Sequence, residues 1–154
     1  MIEIRHVRIP DELDTVRDIF REYVGSVSAD LGFQNCEAEF AALPGAYAAP
    51  AGRLLLGWRG ERAVGCVALR PVDAVICELK RLYVRPAARG EALGRRLVER
   101  MLDEARAAGY RRICLDVLPE FDAAIRLYAA LGFQPAPPVT HNPVPGTRFL
   151  GLAL

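Results

Sequence analysis

The segment RPAARGEALGRRL, residues 85–97, has the composition of an anion-binding helix start. After a proline and a short turn, a helix begins without Ser, Thr, Asp or Asn in the capping position. A helix N-terminus carries about half a positive charge and roughly four N–H donors without partners. The small residues Gly90, Ala92 and Gly94 would let phosphate oxygens approach those donors, and neighbouring arginines add positive charge. The segment alone predicts a phosphate site or, equally well, a solvated arginine-rich first turn.

Three segments together resemble the GNAT family of N-acetyltransferases. The hallmark loop of that family reads Arg/Gln-x-x-Gly-x-Gly/Ala after a strand, and RGEALG at 89–94 matches it, with Ala92 in place of the first glycine. LYVRP at 82–86 and AIRLYAALGF at 124–133 are also typical of the family, in the expected order and spacing. The resemblance covers nearly the whole chain.

The resemblance implies acetyl-CoA as cosubstrate, and no metal is expected. The loop amides would bind the coenzyme A pyrophosphate; these residues are Arg89, Gly90, Glu91, Ala92, Leu93, Gly94 and Arg95. The strand ending in Leu82, Tyr83 and Val84 would splay from its neighbour and pair its free backbone groups with the pantetheine amides. We expect Ala92 to be tolerated because alanine keeps helical geometry. Phe121 stands where family members often have an asparagine that contacts the cofactor.

The resemblance also implies two catalytic residues. Tyr128 matches the tyrosine of the LY-x-x-x-GF segment and would protonate the leaving thiolate, although it also lies on the apolar stripe of its helix. Glu78 stands where several members place a glutamate base, and strand alternation would put it on one face with Lys80, Leu82 and Val84. An ion pair is the other interpretation of Glu78, with Asp116 or a chain of waters as the base instead.

The resemblance also implies that the Pro/Gly loop THNPVPGTRF at 140–149 lines the acceptor side, where His141 and Asn142 could contact substrate. Arg53 and Tyr47, in or beside an Ala/Pro-rich loop, are similar candidates. A lone histidine in a loop is more often simply solvated.

The hydrophobic periodicity predicts the order β-α-α-β-β-β-α-β-α-β in one domain, 1–154. The predicted strands cover 2–9, 53–59, 62–70, 76–84, 111–118 and 147–154, and the helices cover 11–29, 36–43, 93–108 and 120–131. Asp11 is the expected cap of the first helix. Three consecutive strands favour an antiparallel portion, and the strand-helix-strand unit at 76–118 favours a parallel pair. The fold is therefore predicted to be mixed α/β (α+β), with a mostly antiparallel central sheet, a splayed parallel strand pair and flanking helices.

Composition narrows the function classes. Twenty Lys plus Arg against nineteen Asp plus Glu give a formal charge of +1, which disfavours nucleic acid as a partner. No apolar run reaches the roughly 18 residues of a membrane span, and the first residues do not resemble a signal peptide, so a cytoplasmic protein is expected. Two histidines and four cysteines without a CxxC pair suggest no zinc site, and buried thiols are expected. A homodimer is possible for this family.

These observations predict an N-acetyltransferase that acts on a primary amine of a small molecule or peptide, by direct attack in a ternary complex. The alternative is a regulatory module of the same fold that binds acyl-CoA without turnover.

Overall fold

The computed structural model describes residues 1–28 and 35–154, which form a seven-stranded mixed sheet with helices on both faces. The strands are β1 (Ile2–His6), β2 (Arg53–Arg59), β3 (Arg62–Pro71), β4 (Ile76–Val84), β5 (Arg112–Val117), β6 (Gln134–Pro135) and β7 (Arg148–Ala153). The helices are α1 (Leu13–Ser26), α2 (Cys36–Ala41), α3 (Leu93–Ala107) and α4 (Asp122–Ala130). Across the sheet the order is β1-β2-β3-β4-β5-β7-β6, and only β4 and β5 are parallel. The predicted fold class is confirmed.

Two apolar clusters, one on each face of the sheet, hold the helices in place. The predicted stripe of α3 is buried throughout and packs with α4 on one face; its members are Leu93, Leu97, Val98, Met101, Leu102 and Ala105. On the other face, α1 and α2 meet through Phe20 and Phe40, whose ring centroids lie 5.7 Å apart. Within the two described ranges, no helix combines the length and apolar character that a bilayer crossing requires.

Several predicted boundaries were wrong at the ends. The first strand ends at His6, and α1 begins at Leu13, so Asp11 does not cap it. Glu12 precedes the helix instead, and its carboxylate accepts the backbone N–H of Arg8 at 2.8 Å rather than capping the helix. Helix α1 ends at Ser26, while the predicted end at residue 29 lies outside the described residues. The two-residue strand β6 was not predicted, because a strand this short leaves no periodicity to detect.

Strands β4 and β5 pair over only three residues and then separate. The parallel register joins Ile76, Cys77 and Glu78 to residues 112–114, while both strands continue beyond that point. From residue 79 to residue 84, β4 has no ladder partner on its β5 side in the described chain. The peptide groups along that edge are available to a ligand.

A β-bulge in β4 turns the strand further. Cys66 of β3 lies opposite Tyr83 and Ala68 lies opposite Lys80, so two residues of β4 oppose Val67 alone. The bulge shifts the side-chain alternation: Leu82 and Val84 pack against the apolar cluster that also holds the earlier residues Cys77 and Leu79. The expectation that Glu78, Lys80, Leu82 and Val84 share one face was therefore wrong.

The four cysteines are buried in the core. Burial raises the pKa of Cys77 to about 12 and raises the pKa of the Cys66 and Cys114 thiols as well, so these groups stay protonated at neutral pH. This favours packing over nucleophilic chemistry. Among the described residues, no group of three or more His, Cys, Asp or Glu side chains is arranged to hold a metal ion.

Gly65 sets how closely α3 approaches the sheet. A Cβ at this position would lie 2.9 Å from Leu93 Cδ2, 3.1 Å from Leu97 Cδ1 and 3.3 Å from the Tyr83 carbonyl oxygen. We expect Gly65→Ala to lower the free energy of unfolding by about 1–3 kcal/mol, because the first turn of α3 must move outward. Urea denaturation measures the change. Gly25→Ala in α1 is the control: nothing lies within 4 Å of the added methyl. That variant should be neutral or stabilised by helix propensity, and equal losses in both variants would contradict the packing argument.

Candidate active site

The separated ends of β4 and β5 enclose a cleft of about 550 Å³, here called the β4/β5 cleft. Residues 79–84 of β4 line one side, and Asp116 and Val117 of β5 line the other together with Leu118, which follows the strand. Tyr23 and Ser26 of α1, Asn142, and residues of α4 and of the segment just before it also line the cleft. The cleft therefore lies where the sheet leaves unpaired peptide groups.

The loop before α3 reaches one end of this cleft through Arg89 and Gly94. It turns through two left-handed residues, Gly90 with φ +85° and Ala92 with φ +58°. No side chain caps α3, but α1, α2 and α4 also lack side-chain caps, so the missing cap alone does not distinguish this helix. What distinguishes it is the left-handed turn beside arginines at the cleft.

The backbone of Ala92 corrects one expectation. This alanine does not keep right-handed helical geometry: it occupies the left-handed region, which costs an L-residue roughly 1–2 kcal/mol. A glycine would adopt the same conformation without that cost.

The side chain of Tyr83 extends toward α1. Its hydroxyl donates to Glu22 Oε2 at 2.8 Å, and the Arg89 guanidinium lies 5.8 Å from the centre of its ring. Arg89 Nε also donates to the Val84 carbonyl at 3.0 Å. These contacts hold the end of β4 against the loop that leads into α3.

Tyr128 of α4 lines the cleft and is 4% exposed. Its ring packs against Phe133 at 5.4 Å, so it serves the core as well. Burial, together with the nearby Tyr23 and Asp116, raises the pKa of the hydroxyl above its usual value. The group stays protonated at neutral pH and remains a hydrogen-bond donor.

The two candidate carboxylates, Glu78 and Asp116, differ in whether they line the cleft. Glu78 is fully buried: Arg70 Nε donates to Oε1 at 2.6 Å and Thr140 Oγ1 donates to Oε2 at 3.1 Å. Glu78 is not among the residues that line the cleft. Asp116 does line it, and accepts a hydrogen bond from Asn142 Nδ2 at 2.7 Å. Asp116, Asn142 and Tyr128 therefore line one cavity, and Glu78 lies outside its lining.

Aromatic rings close the side of the cleft next to α1. Tyr23 stacks on Phe121 with centroids 6.3 Å apart and planes 28° from parallel, and lies 5.7 Å from the Tyr83 ring. Ser28 Oγ donates to Glu120 Oε1 at 2.6 Å, so a second contact links the end of α1 to the start of α4. Burial raises the pKa of Tyr23 to about 12. Phe121 therefore packs in the cleft wall, where an asparagine would have offered an amide.

The remaining acceptor candidates lie elsewhere. His141 is exposed and outside the cleft lining. Arg53 pairs with Glu104 at 3.0 Å, and the Tyr47 hydroxyl donates to Glu39 at 2.9 Å. Neither of these two side chains lines the cleft.

Sequence reasoning missed Tyr23, Ser26 and Glu120, which all line the cleft. Tyr23 follows the apolar spacing of α1, so the sequence marks it only as a core residue. No pattern in the sequence distinguishes Ser26 or Glu120 from ordinary surface residues.

Comparison with known proteins identifies the family. Residues 13–133 match the model of the acetyltransferase (GNAT) family. The chain belongs to this family. It is 38% identical to an uncharacterized N-acetyltransferase of Schizosaccharomyces pombe over 156 residues, which cover 99% of this chain and 95% of that protein. As a GNAT member, the chain is an acetyltransferase with the acetyl-CoA-binding fold of the family.

Two solved GNAT-like structures share the fold. An acetyltransferase from Streptococcus agalactiae superposes with a TM-score of 0.80 at 23% identity, over 99% of this chain and 98% of that one. The PaiA N-acetyltransferase of Thermoplasma acidophilum, solved in complex with coenzyme A, superposes with a TM-score of 0.76 at 16% identity, over 100% and 99% of the two chains.

The left-handed alanine of this GNAT loop gives a direct prediction. Ala92→Gly should raise the free energy of unfolding by on the order of 1 kcal/mol, because glycine removes the steric cost and loses part of the gain to backbone entropy. Ala129→Gly, at an exposed position inside α4, is the control and should lower stability by about 0.5–1 kcal/mol. Urea denaturation compares the two. A loss of stability in both variants would show that the left-handed position carries no strain.

Proposed function

We propose that the chain transfers an acetyl group from acetyl-CoA to a primary amine of a small molecule or peptide, by direct attack in a ternary complex. The observation that carries this proposal is the separation of β4 from β5 after Glu78, which leaves an open strand edge beside an arginine-rich left-handed loop. The two features have the chemistry needed for the two halves of coenzyme A.

The residues fit the cosubstrate. Backbone amides of residues 89–95 would bind the pyrophosphate, with Arg89 and Arg95 adding positive charge. The peptide groups of Leu82, Tyr83 and Val84 would pair with the pantetheine amides as a further strand would. The Thermoplasma acidophilum structure of the same fold was solved in complex with coenzyme A, which supports coenzyme A as the group that this cleft takes. Phe121 would supply an apolar contact rather than an amide.

When bound, acetyl-CoA supplies an activated acetyl carbon: the amine nitrogen forms the C–N bond, the C–S bond breaks, and coenzyme A leaves with the sulfur. The protein must hold the amine in its neutral form, since an amine like that of lysine has a pKa of about 10.4 and is mostly charged at pH 7. It must also stabilise the charge that develops on the acetyl oxygen and on the sulfur.

Asp116 is the base that we favour over Glu78. It lines the cleft, and Asn142 holds its carboxylate through Oδ2. Both oxygens of Glu78 already accept hydrogen bonds, from Arg70 and from Thr140, so this carboxylate acts as a structural anchor. Proton transfer from the amine to Asp116 passes directly or through a water. A backbone N–H of β4 near Tyr83 donates to the acetyl oxygen.

Tyr128 would donate a hydrogen bond to the sulfur as negative charge develops there. Its raised pKa keeps the proton on the tyrosine, so complete transfer to a thiolate with a pKa near 8.5 is unfavourable. Its contribution is then that of a hydrogen bond to a charged group, about 1.5–3 kcal/mol.

Tyr128→Phe should therefore lower the rate of thiol release about 10- to 100-fold, since about 1.4 kcal/mol corresponds to a factor of ten. Affinity for coenzyme A should not change. Tyr110→Phe is the matched control, because its hydroxyl donates to the Ala51 carbonyl at 2.7 Å outside the cleft. A thiol-detection assay with acetyl-CoA measures the rates. Equal rates in wild type and Tyr128→Phe would remove the tyrosine from the chemistry.

The acceptor is expected to be a cation. Asp116, Glu120 and Asp122 all line the cleft and attract a positively charged amine, while Tyr23 and Phe121 offer it an apolar wall. This composition favours a primary amine attached to an apolar body.

Thermal unfolding with and without acetyl-CoA tests the proposed function. A ligand at about 100 times its Kd stabilises by about 2.7 kcal/mol, or roughly 5–10 °C for a chain of this length. We expect this shift in the wild type, and its loss in the double variant Arg89→Ala/Arg95→Ala. The control, Arg106→Ala/Arg111→Ala, removes the same charge near the other end of α3 and should keep the shift. No shift in the wild type at millimolar acetyl-CoA would refute the proposal, and a shift without thiol release on any primary amine would favour the binding module.

A further inference from the structure

Arg81 has the least favourable backbone conformation in β4. It is one of the two residues that oppose Val67 in the bulge, and its φ is +62°. A non-glycine residue in the left-handed region persists only where its surroundings fix it. The side chain and the carbonyl of Arg81 both have such surroundings.

The guanidinium of Arg81 is 2% exposed and forms a forked ion pair with Glu39 of α2. Arg81 Nε lies 3.0 Å from Glu39 Oε2, and Arg81 Nη2 lies 3.0 Å from Oε1. The Tyr47 hydroxyl donates to the same Oε1 at 2.9 Å, which fixes the carboxylate from a second direction. Two parallel N–H···O bonds constrain orientation as well as distance, which a lysine would not do.

The backbone of the bulge also contacts a side chain of the neighbouring strand β3. Cys66 Sγ of β3 lies 3.2 Å from the Arg81 carbonyl oxygen, toward which its thiol points. Arg81 and Leu82 also line the β4/β5 cleft, where β4 has no ladder partner on its β5 side in the described chain. The side chain of Arg81 thus reaches α2, while Arg81 and Leu82 also line the cleft.

We infer that Arg81 and Glu39 are positioning residues: their ion pair, in which the arginine is buried, locks the bulge of β4, so that its backbone N–H groups face the acetyl oxygen. This inference rests on the proposed function. Neither side chain touches the reacting atoms; the pair acts through the peptide groups of Arg81 and Leu82. It also ties α2 to the strand edge, so the orientation of the bulge depends on the seating of that helix.

The energetics of buried ion pairs allow a positioning role to be separated from a stabilising one. Removing one partner leaves a buried charge and destabilises the fold, whereas replacing both partners by apolar residues of similar size is often neutral. The informative variant is therefore the double replacement Arg81→Met/Glu39→Leu. The control is Arg53→Met/Glu104→Leu, which removes the 3.0 Å pair of Arg53 with Glu104 and, with it, the contacts of Glu104 with Arg100 and His6; all of them lie outside the cleft.

Four quantities are measured on the full chain: the melting temperature, the Kd for coenzyme A, and kcat and KM for the hydrolysis of acetyl-CoA. Water is the acceptor in this reaction, and the release of the coenzyme A thiol monitors its rate. For Arg81→Met/Glu39→Leu we expect melting within a few degrees of wild type, Kd and KM within threefold, and kcat lowered at least tenfold. The control should keep its kcat within twofold. Arg81→Lys, which keeps the charge but not the fork, should lower kcat as well.

Hydrogen exchange of unliganded protein gives a second reading that does not depend on turnover. The amides of residues 81–83 should exchange at least tenfold faster in Arg81→Met/Glu39→Leu, and at the wild-type rate in the control.

Unchanged exchange together with unchanged kcat would overturn the inference, as would a kcat that falls only in parallel with melting temperature and coenzyme A affinity. A wild type that binds no acetyl-CoA would overturn the proposed function and this inference together. A wild type that binds it, with a double variant of full kcat, would overturn the inference alone.

Discussion

The parting of β4 from β5 is the constraint on which the rest of the site depends. Parallel strands normally continue their ladder, because an unpaired peptide group away from water is costly. Here the ladder stops at Glu78, whose buried carboxylate is held by Arg70 of β3 and by Thr140 of the loop before β7. Three residues further on, the bulge at Arg81 bends β4 and increases its twist. The sheet thereby exposes a strand edge inside a cleft rather than at its rim, and a ligand can complete the missing hydrogen bonds.

Charged side chains of opposite sign lie at different ends of the β4/β5 cleft. Arg89 lies at the end of the cleft near α3, and the carboxylates of Asp116, Glu120 and Asp122 lie in β5 and around the start of α4. A polyanionic cosubstrate and a cationic acceptor would therefore enter from regions of opposite charge, which helps to orient both. Between them stand tyrosines whose raised pKa values keep them neutral, so they can donate hydrogen bonds without adding a fixed charge.

The sequence predicts those features that depend on the spacing and type of neighbouring residues. The stripe of α3 and the antiparallel run of β2, β3 and β4 follow from spacing and residue type, and the family resemblance rests on three contiguous segments. The bulge at Arg81 cannot be read in this way. Regular side-chain alternation along β4 predicts one shared face for Glu78 and Leu82, and this prediction was wrong because the bulge interrupts the alternation. Whether Glu78 or Asp116 reaches the cleft depends on where Arg70 and Asn142 lie, and those contacts join residues distant in sequence or on different strands.

The central claim is that the pantetheine arm lies along the open edge of β4. The most direct measurement is a set of intermolecular NOEs between the pantetheine protons of acetyl-CoA and the amide protons of ¹⁵N-labelled protein. The account predicts cross-peaks to the amides of residues 82–84 at saturating ligand. Cross-peaks confined to other strands, with the amides of residues 82–84 unaffected, would contradict it.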